Sequence, residues 1–307
     1  MAAQATAEQI REVNERYHDV AAGEYDSKWG IGFDAVGQDQ VVTKVRKALG
    51  KRPPTFARAL EIGSGTGYFT LNLMLAGIVE SAVCTDISPG MLASLRANAR
   101  RLGLEVETVA GDAAMLDLPA AGFDLVLGHA VLHHLPDLDA AFARFHELLA
   151  PGGRLVFAGE PSRYGDRLAA APKRAAVAIA PLWRALLRAR PAPVNDGTTD
   201  GDGEFDDHAL EGFVDIHAFA PGDLRAYARR AGFDDVRVTG EELVASWFGW
   251  ANRTLESRAR PDDVPMLWRQ YAYYGYRALQ RLDRSVLEGR LPAGAFYNLL
   301  LSARRPL

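Results

Sequence analysis

From residue 57 onward, short apolar runs alternate with longer stretches in which apolar residues recur at helical spacing. Five runs predict strands: Ala57–Ile62, Ser81–Asp86, Glu105–Val109, Phe123–Gly128 and Arg154–Gly159. Three stretches between them predict helices: Phe69–Ala76, Met91–Leu102 and Leu138–Leu149. Strands that alternate with helices are typical of a mostly parallel sheet with helices on both faces. The pattern therefore predicts an α/β fold.

The alternation stops after residue 160. Residues 161–218 carry no strand signal, and the segments that follow predict a helix at Pro221–Ala231, a strand at Asp235–Thr239, a helical segment at about 245–290 and a last strand at Ala295–Ala303. Before the sheet, the first 50 residues predict two helices that end at Gly50. We expect one enlarged domain, 1–307, with four parts: an N-terminal helical cover (1–52), a core (53–160), a lid insertion (161–218) and a C-terminal part of the sheet with a second helical insertion (219–307).

Composition narrows the function classes. The chain has 307 residues, of which 48% are hydrophobic and 24% charged, so it can bury a large core. Its net charge is −4, whereas proteins that bind a nucleic-acid duplex are typically basic overall. We therefore expect no nucleic-acid partner. The single cysteine, Cys84, excludes an intramolecular disulfide and a cysteine-built metal site. The first 14 residues are polar and the longest uncharged stretch, 62–79, is broken by glycines, so we expect a soluble, cytoplasmic protein.

A glycine turn joins the first predicted strand to the first helix of the core. Gly63, Gly65 and Gly67 recur at every second position, one residue short of the G-x-G-x-x-G spacing of a dinucleotide site. Glu61 precedes the turn, and a carboxylate there suits a ligand with a positive amine better than a pyrophosphate. This spacing disfavours an NAD-dependent oxidoreductase.

The segment Glu61–Gly67 resembles the first motif of the class I S-adenosylmethionine (SAM) dependent methyltransferases. Four further segments are similar to that family's motifs in order: Val83–Ser88, Val109–Ala113, Phe123–Gly128 and Leu149–Phe157. The resemblance is close over about residues 57–160 and loose over the terminal strands. It implies a Rossmann-like class I methyltransferase sheet, SAM as cofactor and S-adenosylhomocysteine as product.

The resemblance also implies which residues contact SAM. Asp86, at the end of the second strand, is expected to hold the ribose hydroxyls, and Asp112 the adenine amino group. A tyrosine near the sulfonium would attract it through its ring face, and Tyr25 is the candidate. The full expected set of cofactor-binding residues is Tyr25, Glu61, Gly63, Ser64, Gly65, Gly67, Asp86, Ile87, Met91, Asp112, Ala113 and His129. Met91 has an alternative role in the core.

The acceptor side is expected after the fourth strand, in Gly128–His134. This run lacks the Asn-Pro-Pro-aromatic motif of DNA adenine and protein glutamine methyltransferases and is similar to small-molecule methyltransferases. In phosphoethanolamine methyltransferases, a histidine at the position of His133 works with an N-terminal tyrosine, for which this chain offers Tyr17 and Tyr25. We expect three catalytic residues: His133, Tyr25 and Glu160. Alternatives remain, since Tyr17 could be core, Glu160 could cap a loop, and His134 is expected to cap a helix or pack.

The insertions hide a charge asymmetry. Residues 161–191 carry a net charge of +6 and residues 192–219 a net charge of −8. We expect the basic segment to form a lid over the site, with surface association of 166–190 with a membrane as the alternative. The acidic stretch 196–204 does not fit a calcium loop, and no metal site is expected. Aromatic residues in the second insertion could be core or could line a pocket for a flat acceptor: Trp247, Phe248, Trp250, Trp268, Tyr271, Tyr273, Tyr274 and Tyr276.

The sequence thus predicts a SAM-dependent methyltransferase that acts on a small, aromatic or lipid-like molecule at oxygen, carbon or nitrogen. A non-catalytic SAM-binding module is the first alternative, and a NAD-dependent oxidoreductase is less favoured. The sequence leaves the acceptor, the pathway and the oligomeric state open.

Overall fold

The computed structural model describes residues 31–112, 115, 117–192 and 217–307, together with residues 8, 10, 13–15, 18 and 19 of the N-terminal segment. Its contacts divide the chain into two compact units. The sheet unit comprises Met1–Glu160, Asp206–Val238 and Leu300–Leu307, and the helical unit comprises Pro161–Phe205 and Thr239–Leu299. The helical unit thus begins where the first expected insertion begins. The organisation as one enlarged domain stays a prediction.

In the part of the chain that the structure describes, seven strands form one sheet in the order β3-β2-β1-β4-β5-β7-β6. The strands are β1 Phe56–Ile62, β2 Val79–Asp86, β3 Glu107–Ala110, β4 Phe123–His129, β5 Leu149–Pro161, β6 Asp234–Glu241 and β7 Asn298–Arg304. The pairs β3/β2, β2/β1, β1/β4 and β4/β5 are parallel. Backbone hydrogen bonds join Gly152, near the start of β5, to Arg305, just past the end of β7, so these two strands are antiparallel.

Within the described residues, eight α-helices connect or flank the strands: α1 Ala35–Leu49, α2 Tyr68–Leu75, α3 Pro89–Leu102, α4 Leu138–Leu148, α5 Arg163–Leu187, α6 Pro221–Arg230, α7 Val244–Glu256 and α8 Met266–Leu282. Short 3₁₀ turns lie at Leu132–His134, Pro261–Asp263 and Ala293–Ala295, and a π turn at Asp283–Leu287. Among the described residues, no helix is both long enough and apolar enough to cross a membrane.

The core of the sheet unit explains why the strand ends are fixed. Aliphatic and aromatic residues of α1, α2 and α3 pack on one face of the central strands, with Phe69, Leu95 and Cys84 all at most 1% exposed. Phe142, Phe145 and Phe157 join α4 to β5. Burial on this scale holds the carboxyl ends of β1, β2 and β4 in one place, and in open α/β sheets ligands bind at that edge.

The predicted α/β sheet is confirmed, and the differences lie at element boundaries. The proline and glycines of Pro151–Gly153 predict a helix stop and a turn before the fifth strand, but these residues belong to β5, which begins at Leu149, and Gly152 and Gly153 pair with Arg305. The helical segment expected at 245–290 consists of α7 and α8, with Pro261 and Pro265 between them. The expected acidic loop at 196–204 lies outside the described residues.

The helical unit has a core of its own. Ala176, Ala180 and Trp183 of α5 pack with Leu255 of α7 and with Val264. At the end of α5, the guanidinium of Arg190 donates to both carboxylate oxygens of Asp263, at 2.8 Å each. The unit therefore joins the two segments that the sequence predicted as separate insertions.

Candidate active site

The glycine turn after β1 requires backbone conformations that other residues rarely adopt. Gly63 has φ +62° and Gly65 has φ +51°. A Cβ at Gly63 would lie 2.4 Å from Cγ2 of Val131, whereas a Cβ at Gly65 would meet nothing within 4 Å. The turn is therefore packed tightly at Gly63 and open at Gly65, as a backbone cradle for a ligand requires.

Asp86 ends β2 beside this turn. One carboxylate oxygen accepts a hydrogen bond from the amide of Gly65 (2.8 Å) and the other from the amide of Ser88 (2.9 Å). Burial raises the pKa of Asp86, and these two amides partly offset the effect. Each oxygen keeps acceptor capacity beyond its one amide, so the carboxylate can also accept hydroxyl protons of a ligand.

Glu61 lies inside the unit. Its carboxylate accepts from the amide of Thr70 at the start of α2 (3.2 Å), and its side chain is buried. Burial raises the pKa of Glu61 to about 8, and the charge of Asp86 adds to the effect. The side chain of Glu61 therefore links the end of β1 to the start of α2, the two elements that the glycine turn joins.

A cleft with an empty volume of about 800 Å³, including its open mouth, lies at the carboxyl ends of β1, β2 and β4. Seven of the predicted cofactor-binding residues line it: Gly63, Gly65, Asp86, Ile87, Met91, Asp112 and His129. Glu61, Ser64 and Gly67 do not line it: Glu61 lies in β1, and Ser64 and Gly67 belong to the turn. The amide of Ser64 donates to Thr85 (2.8 Å), and Gly67 precedes α2 with φ +91°. Tyr17, Tyr25 and Ala113 lie outside the described residues.

His129 ends β4 and faces aromatic neighbours. Its ring stacks on Phe69 with the centroids 5.3 Å apart and meets the edge of Tyr68 at 6.0 Å. A Cβ at Gly159 would lie 2.9 Å from Nε2 of His129, so the small residue makes room for the ring. These contacts fix the imidazole in the wall of the cleft.

Glu160 organises the loop that follows β4. Its buried carboxylate accepts from the amides of Val131, Leu132 and His133, at 3.0 to 3.2 Å. It also lies 2.9 Å from Nδ1 of His133. Glu160 thus caps the loop, which is the alternative role given above, and its contact with Nδ1 orients His133.

The neighbouring histidine, not His133, faces the cleft. His134 lines it, whereas the side chain of His133 is 9% exposed and does not. The centroids of the two rings lie 3.9 Å apart, so the imidazole of His133 packs against that of His134. His217 supports the same loop, because its ring Nε2 lies 3.0 Å from the carbonyl of Leu135. Burial lowers the pKa of His217.

The N-terminal segment contributes two residues that the sequence analysis missed. Asn14 and His18 line the cleft, and the rings of His18 and His134 lie 5.7 Å apart. Asn14 is 5% exposed, and its Oδ1 has no hydrogen-bond partner among the described residues, whereas its Nδ2 donates to the carbonyl of Ile10. A polar residue on the apolar face of a predicted N-terminal helix is the one signal that could have identified Asn14.

Asp19 ties this segment to the core. Its carboxylate accepts from the hydroxyl of Ser88 and from the amide of Gly90 (2.9 Å), at the start of α3. Among the described residues, no group of three or more His, Cys, Asp or Glu side chains could hold a metal ion.

The arrangement fits SAM. Asp86 at the end of β2 and Asp112 after β3 lie on one side of β1 in the sheet order, and residues 129–136, from the end of β4 onward, lie on the other. An open glycine backbone, a carboxylate for hydroxyls and the Oδ1 of Asn14, which no described residue partners, provide contacts for a nucleoside with an amino acid group. The cleft can therefore hold such a ligand with one end beside the imidazoles.

Comparison with known proteins identifies the family. A family model described as a methyltransferase domain matches residues 60–157. Malonyl-[acyl-carrier protein] O-methyltransferase of Geobacter sulfurreducens is 30% identical over 234 residues, 76% of this chain and 74% of that protein. Aklanonic acid methyltransferase of a Streptomyces species is 37% identical over 138 residues, 43% of this chain and 62% of that protein.

A solved structure shares the fold. Phosphoethanolamine N-methyltransferase 2 of Haemonchus contortus, in complex with phosphomonomethylethanolamine and S-adenosylhomocysteine, superimposes with a TM-score of 0.59 over 97% of this chain and 60% of that one. The identity is 14%, so this likeness shows the fold alone. The Geobacter relative matches most of both chains, and with it the sheet and the glycine turn lead to one assignment. The chain belongs to the class I SAM-dependent methyltransferases.

Proposed function

We propose that this enzyme transfers the methyl group of SAM to a small acceptor held against His134. The observation that carries the proposal is the cleft itself, which places Asp86 and Asp112 at one end and His129 and His134 at the other. Bound SAM supplies an electrophilic methyl group on its sulfonium. The tasks left to the protein are to align the acceptor, exclude water and take up a proton where the acceptor must lose one.

Several residues hold the cofactor in this proposal. Asp86 accepts the ribose hydroxyls and Asp112 the adenine amino group. Gly63 and Gly65 let the backbone approach the amino acid group, and Tyr25 covers the sulfonium. The contacts of Asp86 with the amides of Gly65 and Ser88 support this role, because they fix the carboxylate before the ligand arrives.

His134 is the proposed proton acceptor, and the pair His133–Glu160 positions it. The nucleophilic atom of the acceptor attacks the methyl carbon as the bond from sulfur to carbon breaks, and the acceptor proton moves to His134. An imidazole suits this step because its ordinary pKa lies near neutral pH. This places His133 one residue behind the group that touches the acceptor, and Glu160 behind His133.

The proposed acceptor is a small molecule with an ionisable hydroxyl or an acidic carbon, on an aromatic or lipid-like body. A base in the cleft favours an acceptor that must lose a proton. Two relatives support an organic acceptor by name, one acting on malonyl-[acyl-carrier protein] at oxygen and one on aklanonic acid. The apolar residues Val131, Leu135 and Pro136 in the wall suit an apolar body.

The test combines discovery of the acceptor with a pair of histidine variants. The purified chain is incubated with a metabolite extract and SAM that carries a trideuterated methyl group, and labelled products are identified by mass spectrometry. With the acceptor in hand, we expect His134→Ala to reduce kcat by about 10²–10⁴-fold and to leave SAM affinity within a factor of two or so. His133→Asn is expected to reduce kcat less and to keep the pH profile.

Two outcomes would contradict the proposal. If His134→Ala left kcat intact while His133→Asn abolished it, the base would be His133. If Asp86→Ala left the Kd for SAM unchanged in calorimetry, the cofactor would not lie in this cleft.

A further inference from the structure

Exposed apolar side chains are concentrated in the helical unit. Of the sixteen large hydrophobic side chains that are exposed among the described residues, fourteen belong to this unit, which holds about a third of the chain. Single exposed hydrophobic residues are ordinary, but contiguous sets mark interaction surfaces. The helical unit therefore carries most of the exposed apolar surface of the described residues, and this surface is a candidate interaction site.

Helix α5 has a buried face and a separate exposed apolar face. Small residues and Trp183 fill the buried face: Gly165, Ala169, Ala176, Ala180 and Trp183. A second set, at helical spacing, forms an exposed apolar stripe: Tyr164, Leu168, Ile179, Leu182 and Leu186. Leu182 is 65% exposed and Leu186 75%. A helix that only covered its own core would not need this second stripe.

Helix α8 carries a second stripe. None of its seventeen residues is buried, although Trp268 and Tyr276 are partly covered. Its exposed apolar residues recur four and three residues apart on one face: Leu267, Tyr271 and Tyr274, continued by Leu282. Trp183 of α5 packs against Trp268 at 5.1 Å, and Trp268 contacts Tyr271 at 5.3 Å. The two tryptophans therefore connect the stripe-bearing helices.

Basic residues accompany both stripes. Together α5 and α8 contain eight Lys and Arg residues and one acid, Asp166, within a chain whose net charge is −4. Arg163, Arg167 and Arg174 recur at intervals of four and seven residues, so they share one side of α5 beside its stripe. Tyrosines in the stripes suit a boundary between water and an apolar phase.

We propose that α5 and α8 dock on the surface of an anionic lipid bilayer. Amphipathic helices with a strongly basic polar side bind in the plane of such a surface, where apolar residues enter the acyl region and arginines meet the lipid phosphates. A second copy of the chain fits this surface less well, because a symmetric contact would bring two basic faces together. The proposal is independent of the methyl acceptor, since no cleft residue lies on α5 or α8.

The test is co-sedimentation of the full chain with vesicles. We expect binding to vesicles of phosphatidylcholine mixed with phosphatidylglycerol and little binding to phosphatidylcholine alone. The double substitution Leu182→Glu and Leu186→Glu should weaken partitioning about tenfold or more, because both side chains lose apolar transfer and add repulsion. Leu307→Glu is the matched control, since Leu307 is 97% exposed but belongs to the sheet unit. All variants should bind SAM as the wild type does.

A second pair of substitutions tests the charge. Arg167→Gln with Arg174→Gln should reduce binding to anionic vesicles several-fold and flatten its dependence on salt. Absence of wild-type binding, or equal binding to neutral vesicles, would overturn the proposal. So would a wild-type dimer in light scattering that the leucine double variant dissociates, because the stripes would then lie between copies.

Discussion

Glu61 couples the folding of the sheet unit to pH. Its pKa is raised from 4.5 to about 8 by burial, so the folded chain keeps a proton that the unfolded chain loses between those values. The contribution of Glu61 to the free energy of unfolding therefore falls as the pH rises from about 5 to 8. This contribution requires a group that can ionise.

We expect Glu61→Gln to remove that loss. The amide cannot ionise, and its carbonyl oxygen can still accept from the amide of Thr70. Urea unfolding should show the variant more stable than the wild type by a few kcal/mol, in order of magnitude, at pH 8.5, and similar at pH 5. A stability difference that did not depend on pH would mean that Glu61 is already ionised in the folded chain.

Gly65 and Gly77 both have a left-handed backbone, but only Gly65 belongs to the glycine turn after β1. Substitutions at the two positions therefore distinguish an effect on SAM binding from an effect on stability. Gly65 (φ +51°) lines the cleft, whereas Gly77 (φ +67°) does not, and a Cβ at either would meet nothing within 4 Å. Both Gly65→Arg and Gly77→Arg should cost about 1 kcal/mol of stability through the left-handed conformation. Calorimetry should show SAM binding lost in Gly65→Arg alone. Equal SAM affinity in both variants would remove the turn from the site.

At the residue scale, the sequence predicted what is local. The glycine turn belongs to a continuous strand–turn–helix pattern, and Asp86 ends a strand. The positions of both therefore follow from short-range rules. Asn14 and His18 reach the cleft from more than 40 residues upstream of the turn, and no local pattern reports that approach. His134 and not His133 lines the cleft, and the ring of His133 is held by Glu160, which lies 29 residues or fewer from this loop in sequence but on another strand.

At the element scale, periodicity located the strands better than their ends. Pro151–Gly153, near the start of β5, predict a turn by composition, but long-range pairing with Arg305 at the other end of the chain makes them part of the strand. The apolar spacing of 245–290 predicts one helical segment, but the segment is broken between α7 and α8 at Pro261 and Pro265. Proline is compatible with the first turn of a helix as well as with a helix end, so these two residues alone do not locate the break. Tertiary partners decided both boundaries.

Asp283 shows how an element boundary is fixed from a distance. Its fully buried carboxylate accepts from the amides of Leu243, Val244 and Ala245, at 2.9 to 3.1 Å, and so satisfies the start of α7. The first amides of a helix have no partner within it, and buried ones left unpaired are costly. The cap lies 40 residues from the helix that it completes, which sequence analysis of α7 alone does not reveal.

At the scale of the whole molecule, chemistry and proposed docking belong to different units. The described residues that line the cleft all belong to the sheet unit, and the two exposed stripes belong to the helical unit. The modest net charge of −4 conceals this division, because basic residues are concentrated on α5 and α8. A defect in one unit should therefore leave the binding function of the other measurable.

Asp283→Ala tests that separation. Removing the carboxylate leaves amides at the start of α7 unpaired, and we expect the helical unit to lose roughly 2–4 kcal/mol of stability. Hydrogen exchange of α7 should accelerate, while the Kd for SAM stays unchanged in calorimetry, because Asp283 belongs to the helical unit and the described cleft residues belong to the sheet unit. Asp263→Ala is the matched control, since it removes an exposed ion pair with Arg190 in the same unit and should cost far less. If Asp283→Ala instead weakened SAM binding in proportion to its loss of stability, the two units would fold and bind as one, and the single-domain prediction would gain support.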